Sequence, residues 1–497
     1  MSVDEMLART MSASSLLTQR EIFCLVAAVA VAAAVSEKSF RDGDGTPLDG
    51  RRRHIPYLAT FWLPPLMLIF ALLPCFGLLS FRHVLSVLFS VLVSVCVYDA
   101  LLLTALPLLR RYVSARTCAV LWLLPNYLVL LANLNQMKLD RPRWVVHLPV
   151  MAVQAACVLW AAGFCAVLVW KIAGHLRFRR ALLRRARPAE DPEYLTLWRK
   201  VQTDAGFPSA PYRLVVSPAA ATPLSIGLFP GALRVVLPER AYTAEELELV
   251  LRHELVHISR RDNVTKFFLV FCTALCWFNP LTWLAMDRSA QDIELGCDET
   301  VLLDADEGTR RRYAELLLSA AGNGRGFTTC LSASAKTLRY RLRSVVHPPR
   351  RHGGALLAGV LMFALLMTSS LTALSYDPVR GAEVFFLDGQ EAYTLRTVQW
   401  HTKMRTVPCR CADPEALASR LGDLKLEALA GKYTFSGIRP LLEVCFEGPE
   451  GTVWIVVREK SLSVIPMGRP SLQSEGDYYL PQGADLEALA QLLTFSE

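Results

Sequence analysis

"HELVHISRRDNVTKFFLVFCTALCWFNPLTWLAMDRSAQDIELGCDE", residues 253–299, decides how the rest of this chain is folded. It opens on two histidines four apart with a glutamate beside the first. It continues as an apolar run and closes on a group of carboxylates. Histidines at i and i+4 of a helix lie one turn apart on one face, so His253 and His257 reach a single ion, and neutral imidazole suits zinc. Glu254 is angled to the side of that ion. There it accepts a proton from a water on the metal and later donates it to a leaving amine. The helix itself is legible: Thr243 and Glu246 form a capping box, and Leu247, Val250, Leu251, Leu255 and Ile258 make an apolar stripe. In a chain with nine histidines, chance alone yields such a pentapeptide on the order of once in a hundred, so the surroundings must decide.

A third ligand is expected on another helix, leaving the fourth position open to water. "SAQDIELGCDETVLL" (289–303) offers Glu294, with Asp298 one turn on as an acceptor for an imidazole N–H. By chemistry alone Asp292 and Glu299 compete with Glu294. Asp262, five residues after His257, is a second candidate for orienting an imidazole; its plainer role is a charge at a helix end.

The run 264–286 is long enough to cross a membrane, but crossing would strand Glu294 on the far side from the histidines. Ligands of one ion lie within a few ångströms of each other. Asn279-Pro280 offers the break, because proline ends a helix and restricts the residue before it. Residues 264–278 then form a helix of about 22 Å and 281–293 return antiparallel. The expectation is a hydrophobic hairpin, 264–293, packed on or dipping into the cytoplasmic membrane face. Its alternative is a hairpin buried in a soluble core.

Around this stretch, 497 residues are too many for one ordinary domain, and 53% apolar with 20% charged exceeds a soluble average. Residues 57–79, 84–109, 118–135, 148–172 and 355–374 are each apolar for about the 20 residues a bilayer requires. The shorter run 22–35 reads as a short span, with a signal-peptide core as the alternative. Arg177, Arg179, Arg180, Arg184, Arg185 and Arg187 follow the 148–172 span, and Arg341, Arg343, Arg350 and Arg351 precede the last one. Such flanks are cytoplasmic, so 176–350 lies inside and the tail from 376 outside. The same arginines account for the net charge of +8 without direct nucleic-acid binding, for no aromatic platform accompanies them.

Within 176–350, "YRLVVSPAAATPLSIGLFPGALRVVLP" (212–238) reads as two or three short strands with tight turns. The tail alternates strand-like runs with two helical ones, 412–421 and 484–493. These read as ordinary Asp-capped helices or as a distant duplication. Thirteen cysteines show no CxxC pair, and of those in the tail (Cys409, Cys411 and Cys445) any disulfide leaves one thiol over.

"HELVHISRRD", "WFNPLTW" and "ELGCDE", preceded by "SPAAATPLSIGLFPGALRVVLPE", resemble the BlaR/MecR family of integral-membrane zinc metallopeptidases, antirepressor sensors of β-lactam resistance and their relatives. The resemblance covers roughly 200–345, and the order of spans and domains extends it. It implies a multi-pass α-helical membrane protein with a cytoplasmic α+β zinc metallopeptidase (gluzincin-like) domain and a small extracytoplasmic α+β domain. The family's E-x-x-x-D signature falls on Glu294, as third Zn2+ ligand, and on Asp298. An edge strand that holds peptide substrate falls on 233–237. The implied action is transduction of an outer signal into self-cleavage, with a cleavage loop around 324–337, and into inactivation of a cytoplasmic DNA-binding repressor. A homodimer is compatible with it. The tail departs from the family's β-lactam sensors, because 376–497 contains neither S-x-x-K nor K-T-G and is too short for their acylation domain. Two other readings fit the same residues: a membrane-protein quality-control zinc peptidase, and a non-catalytic signalling scaffold.

Overall fold

The computed structural model describes residues 22–33, 64–69, 72, 76, 81–128, 144–207, 211–303, 305–322, 335–346, 354–368, 372–387, 389–401, 406–429, 441–449, 451–458, 460–467 and 476–495. The span expected over 57–79 and the cleavage loop expected around 324–337 lie largely outside these residues.

The apolar runs become helices. α1 (Ile22–Ala33), α2 (Phe81–Tyr112), α3 (Ala115–Leu121) and α4 (Val150–Arg184) precede a small sheet and the helix that carries the two histidines. Among the described residues, Leu88–Tyr112 and Val150–Arg184 are long and apolar enough to cross a membrane. α4 measures about 52 Å at 1.5 Å per residue, so its basic end continues as helix well past the apolar part. Leu182 near that end is buried, and its carbonyl accepts from the Ser217 hydroxyl at 2.7 Å, seating α4 directly on the small sheet described next.

That sheet holds β2 (Arg187–Pro188), β3 (Arg213–Ser217), β4 (Leu224–Ile226) and β5 (Arg234–Pro238), after a first strand β1 (Trp144–His147) that pairs elsewhere. Its order is β2-β3-β5-β4, with β5 parallel to β3 and antiparallel to β4. The strand expected as the substrate-holding edge, 233–237, is therefore not an edge. β5 is interior, and Val235, Val236 and Leu237 are fully buried, as strands covered on both faces are. The edge beside the histidine helix is β4.

α5 (Pro192–Asp204) and α6 (Ala244–Arg260) cover this sheet through Trp198, Val201, Leu247, Leu251 and Leu255. The capping box of α6 is present in both directions, Thr243 to Glu246 and back. α7 (Asp262–Leu275) and α8 (Pro280–Val301) then form the hairpin, with Asn279 capping α8 by accepting from the Leu281 N–H at 3.0 Å. Phe268, Phe271, Cys272, Ala285 and Ile293 share one apolar core with α2, α3 and α4. The hairpin tip is fastened to two helices. Trp160 Nε1 donates to the Leu275 carbonyl at 2.9 Å, and Thr282 Oγ1 donates to Asp99 at 2.8 Å. Trp160 stands ten residues into α4, about 15 Å along it.

Of the expected span 118–135, the residues up to 128 are described, and they do not form one continuous helix. α3 ends at Leu121 and a 3-10 turn at Leu124–Tyr127 follows, with Pro125 unable to continue a helix. Leu121, Trp122, Leu124 and Leu128 are buried there, so their apolarity serves the core.

α9 (Glu307–Gly322) and α10 (Ala335–Val346) follow, then the apolar α11 (Ala355–Thr368). α1 lies against α11, close enough that a Cβ at Gly359 would stand 3.1 Å from the Ala28 carbonyl. The expected span 355–374 ends earlier, because strand β6 (Thr372–Arg380) has begun by its last residues.

The tail carries α12 (Gly381–Phe385), β7 (Thr394–His401), β8 (Thr406–Cys411), α13 (Pro414–Gly422), β9 (Lys425–Leu429), β10 (Leu442–Gly448), β11 (Gly451–Val457), β12 (Ser461–Met467), β13 (Gly476–Tyr479), α14 (Leu486–Ala490) and β14 (Leu493–Phe495). Its sheet runs β1-β6-β9-β13-β12-β11-β10-β7-β8-β14 around Trp400, Phe446, Val444 and Ile455. Asp413 and Asp485 each cap a helix at 3.0 Å, but α14 stops after five residues and Leu493 enters a strand. Cys409, Cys411 and Cys445 are free thiols. β1, which leads into α4, pairs parallel with β6, and the Ser90 hydroxyl of α2 donates to the Thr372 carbonyl of β6 at 3.0 Å.

Candidate metal centre

α6 and α8 lie side by side, and α6 presents His253 and His257 to α8 on one face. Their Nε2 atoms are 3.1 Å apart. Glu294 Oε2 lies 3.7 Å from His253 Nε2 and 3.6 Å from His257 Nε2. Three donors around a tetrahedral ion at about 2.0–2.1 Å should be separated by roughly 3.3 Å. The observed triangle is within a few tenths of an ångström of that figure. Its donor set, two imidazoles and a carboxylate, suits zinc in an open, three-ligand site.

The far side of each donor is held. His257 Nδ1 meets Asp262 Oδ2 at 2.7 Å, so its N–H donates there and the Nε2 lone pair faces Glu294. Asp262 is in place because Arg261, at φ 55 and ψ 40, breaks α6 in left-handed geometry and turns α7 back. Asn263, the next residue, donates to the Gly227 carbonyl beside β4 at 3.1 Å, tying this corner to the edge strand. His253 Nδ1 faces Tyr313, whose oxygen is 2.7 Å away, with Asp298 Oδ1 at 3.6 Å. Glu294 Oε1 accepts from Lys266 Nζ at 2.8 Å, leaving Oε2 toward the histidines.

Glu254, next to His253 on α6, is buried. Asp292, a competitor by chemistry, turns the other way. It accepts from Arg110 of α2 at 2.9 Å and from Trp122 Nε1 at 3.0 Å. Glu299 is half-buried farther along α8.

Cys297, Tyr313, Lys266 and Arg341 were not anticipated. Cys297 Sγ is 3.4 Å from His253 Nδ1, and the thiol groups with both histidines within 4.8 Å. It approaches His253 from the Nδ1 side, whereas Glu294 meets the Nε2 atoms of both rings, so Glu294 fits the common position better. Lys266 had a signal in the sequence: it is the one charged residue within 264–286, and a charge buried in an apolar run requires a partner. Cys297 sits inside the quoted ELGCDE, where no metal-ligand spacing marks it. Tyr313 and Arg341 are separated from the histidines by whole helices, and no spacing rule reaches them.

The charged groups of the site act strongly on one another. Burial by itself lowers the basicity of His253, but Cys297 and Glu294 outweigh it and raise the pKa to about 10. Burial pushes Glu294 up, yet Lys266 and His257 hold its carboxyl well below the usual carboxylate range.

Residues 141–345 match the family model described as BlaR1 peptidase M56. That stretch of the chain is similar to the BlaR/MecR-type peptidases. Regulatory protein BlaR1 of Bacillus licheniformis is 25% identical over 196 residues, 38% of this chain and 31% of that protein. The methicillin resistance mecR1 proteins of Staphylococcus aureus and Staphylococcus epidermidis are 28% identical over 102 residues, 20% of this chain and 17% of theirs. The chain thus spans less than a third of the length of the curated relatives it matches. The BlaR/MecR-type region takes in every group of the site, from β1 and α4 through both histidines to Arg341, and a peptidase of this family is a metallopeptidase.

Proposed function

We propose that the chain is a membrane-embedded zinc metalloendopeptidase that converts a signal at its tail domain into proteolysis. His253, His257 and Glu294 hold the ion, Glu254 is the general base and acid, and Asp262 and Asp298 orient the imidazoles. The observation that carries this is the triangle of Nε2, Nε2 and Oε2 with sides of 3.1, 3.6 and 3.7 Å.

Zinc, when bound, supplies Lewis acidity toward a peptide carbonyl and makes a water acidic near neutral pH. Glu254 takes the proton of the attacking water and returns it to the departing amine as the C–N bond breaks. Asp262 keeps the His257 proton on Nδ1, so the ring never swings its N–H toward the reacting atoms. β4, as the free edge beside α6, offers backbone groups to an extended substrate, which would lie as a further strand.

The architecture supports a place in the bilayer. In this reading α1, α2, α4 and α11 lie in the membrane, the hairpin tip reaches about mid-depth, 176–350 is cytoplasmic and 376–497 extracytoplasmic. The fastening of the tip to Trp160 and Asp99, both within apolar helices, supports a dipping hairpin over one in a soluble core. The substrates in this reading are the chain itself and a cytoplasmic DNA-binding repressor. The pairing of β1 and β6 supports signalling over quality control, since it joins the tail domain to α4 and hence to the peptidase sheet.

The test uses the full chain reconstituted with zinc. Glu254→Gln should retain zinc and lose cleavage of self and of co-purified repressor, read by mass spectrometry. Cleavage at the wild-type rate would remove the assignment of Glu254, and unchanged downstream signalling would favour the scaffold reading.

A further inference from the structure

Arg341 belongs to a basic stretch that membrane proximity alone would explain, yet it does not behave as its neighbours do. Arg339 and Arg343 on α10 are exposed, whereas the Arg341 side chain is only 13% accessible. Its Nε and Nη2 each donate to Asp298 at 2.7 Å, a two-pronged contact, and its Nη1 is 3.6 Å from Glu294 Oε2. Asp298 Oδ1 also accepts from the Tyr313 hydroxyl at 2.6 Å, and the Tyr313 oxygen stands 2.7 Å from His253 Nδ1. The donors therefore run in one direction: His253 N–H to Tyr313, Tyr313 O–H to Asp298, with Arg341 closing the carboxylate from the other side.

We infer that Arg341 is a positioning residue of the metal centre, so that metal binding requires α10 to be docked. This rests on the metallopeptidase reading. A juxtamembrane arginine that served only topology would gain nothing from a buried bidentate carboxylate. Without Arg341, Asp298 would be a buried charge lacking its counter-ion. It would turn toward His253 Nδ1, 3.6 Å away, and that change lets Tyr313 and the His253 ring move. The neighbouring Tyr340 packs its ring 5.3 Å from the guanidinium of Arg110, the residue of α2 that holds Asp292. α10 is thereby seated between the metal helix and a membrane helix, immediately before α11 leads to the tail domain.

The full chain in detergent is titrated with zinc against a fluorescent chelator, for wild type, Arg341→Ala, Arg341→Lys, Arg343→Ala and His253→Ala. Arg341→Ala should weaken zinc binding ten- to hundredfold, as loss of an outer partner does. Arg341→Lys should fall between, since ammonium restores charge without the fork. Arg343→Ala should match wild type. In the cobalt-loaded protein, Arg341→Lys should shift the visible absorption band, a change that a merely structural contact would not cause. Wild-type zinc affinity and an unshifted cobalt band in Arg341→Lys overturn the inference, whether or not Arg341→Ala folds. An equal loss in Arg343→Ala overturns it too, because the effect would then be general charge. Undiminished zinc binding by His253→Ala would instead overturn the ligand assignment itself, and this inference with it.

Discussion

At His257 the orientation of one ring depends on one carboxylate 2.7 Å from its Nδ1. Asp262→Asn keeps the size and an acceptor oxygen but removes the charge that fixes the tautomer. Zinc affinity should drop about ten- to hundredfold with the fold retained, measured by chelator competition and circular dichroism. Unaltered affinity would leave Asp262 with only its helix-end role. His253 supports a second expectation. Burial lowers its basicity, but Cys297 and Glu294 prevail and set its pKa at about 10 in the metal-free chain. The ring therefore carries a proton at neutral pH that metal must displace. Zinc affinity should rise with pH up to about pH 10, with protons released on binding. Calorimetric titrations in buffers of different ionisation enthalpy read that release, and a proton-neutral binding would contradict the coupling.

Helix packing at the hairpin turns on Gly163 of α4. A Cβ added there would stand 2.1 Å from the Trp277 indole, which itself donates to the Trp160 carbonyl at 3.2 Å. The glycine is needed for this close approach and has no unusual backbone angle. Gly163→Ala should destabilise the chain by about 1–3 kcal/mol through overpacking, seen as a lower melting temperature in detergent. Trp277→Phe in the same chain should recover part of that loss, because the clash is with the larger ring. If Gly163→Ala melts as wild type does, the tip does not rest on α4 as described.

For the molecule as a whole, the ion requires residues before and after the hairpin to share one side of the membrane. Single cysteines at Arg252 and Leu303, both exposed, should be labelled by an impermeant thiol reagent from the same face in a cysteine-less chain. A cysteine at Ser419 in the tail should be labelled from the opposite face. Arg252 and Leu303 on different faces would remove both the hairpin and Glu294 as a ligand.

Much of the site was legible because helices impose fixed periods. His253, Glu254 and His257 follow from a four-residue spacing on a capped helix, and Asn279-Pro280 marks the turn through the covalent restriction of proline. The strands of 212–238 and the Asp-capped helices of the tail are equally local. What the chain could not reveal by itself are contacts between elements far apart in sequence. β5 is an interior strand buried on both faces, whereas the family resemblance placed a substrate-holding edge at 233–237. Trp122 and Leu121 fill a core beside Pro125, a packing role that apolarity alone does not distinguish from lipid contact. Tyr313 and Arg341 carry no spacing signal, because their meeting with His253 and Asp298 is set by how α9 and α10 pack. Local periodicity determined which residues could hold a metal; the tertiary fold decided what holds those residues, since a buried charge must find its partner wherever packing puts one.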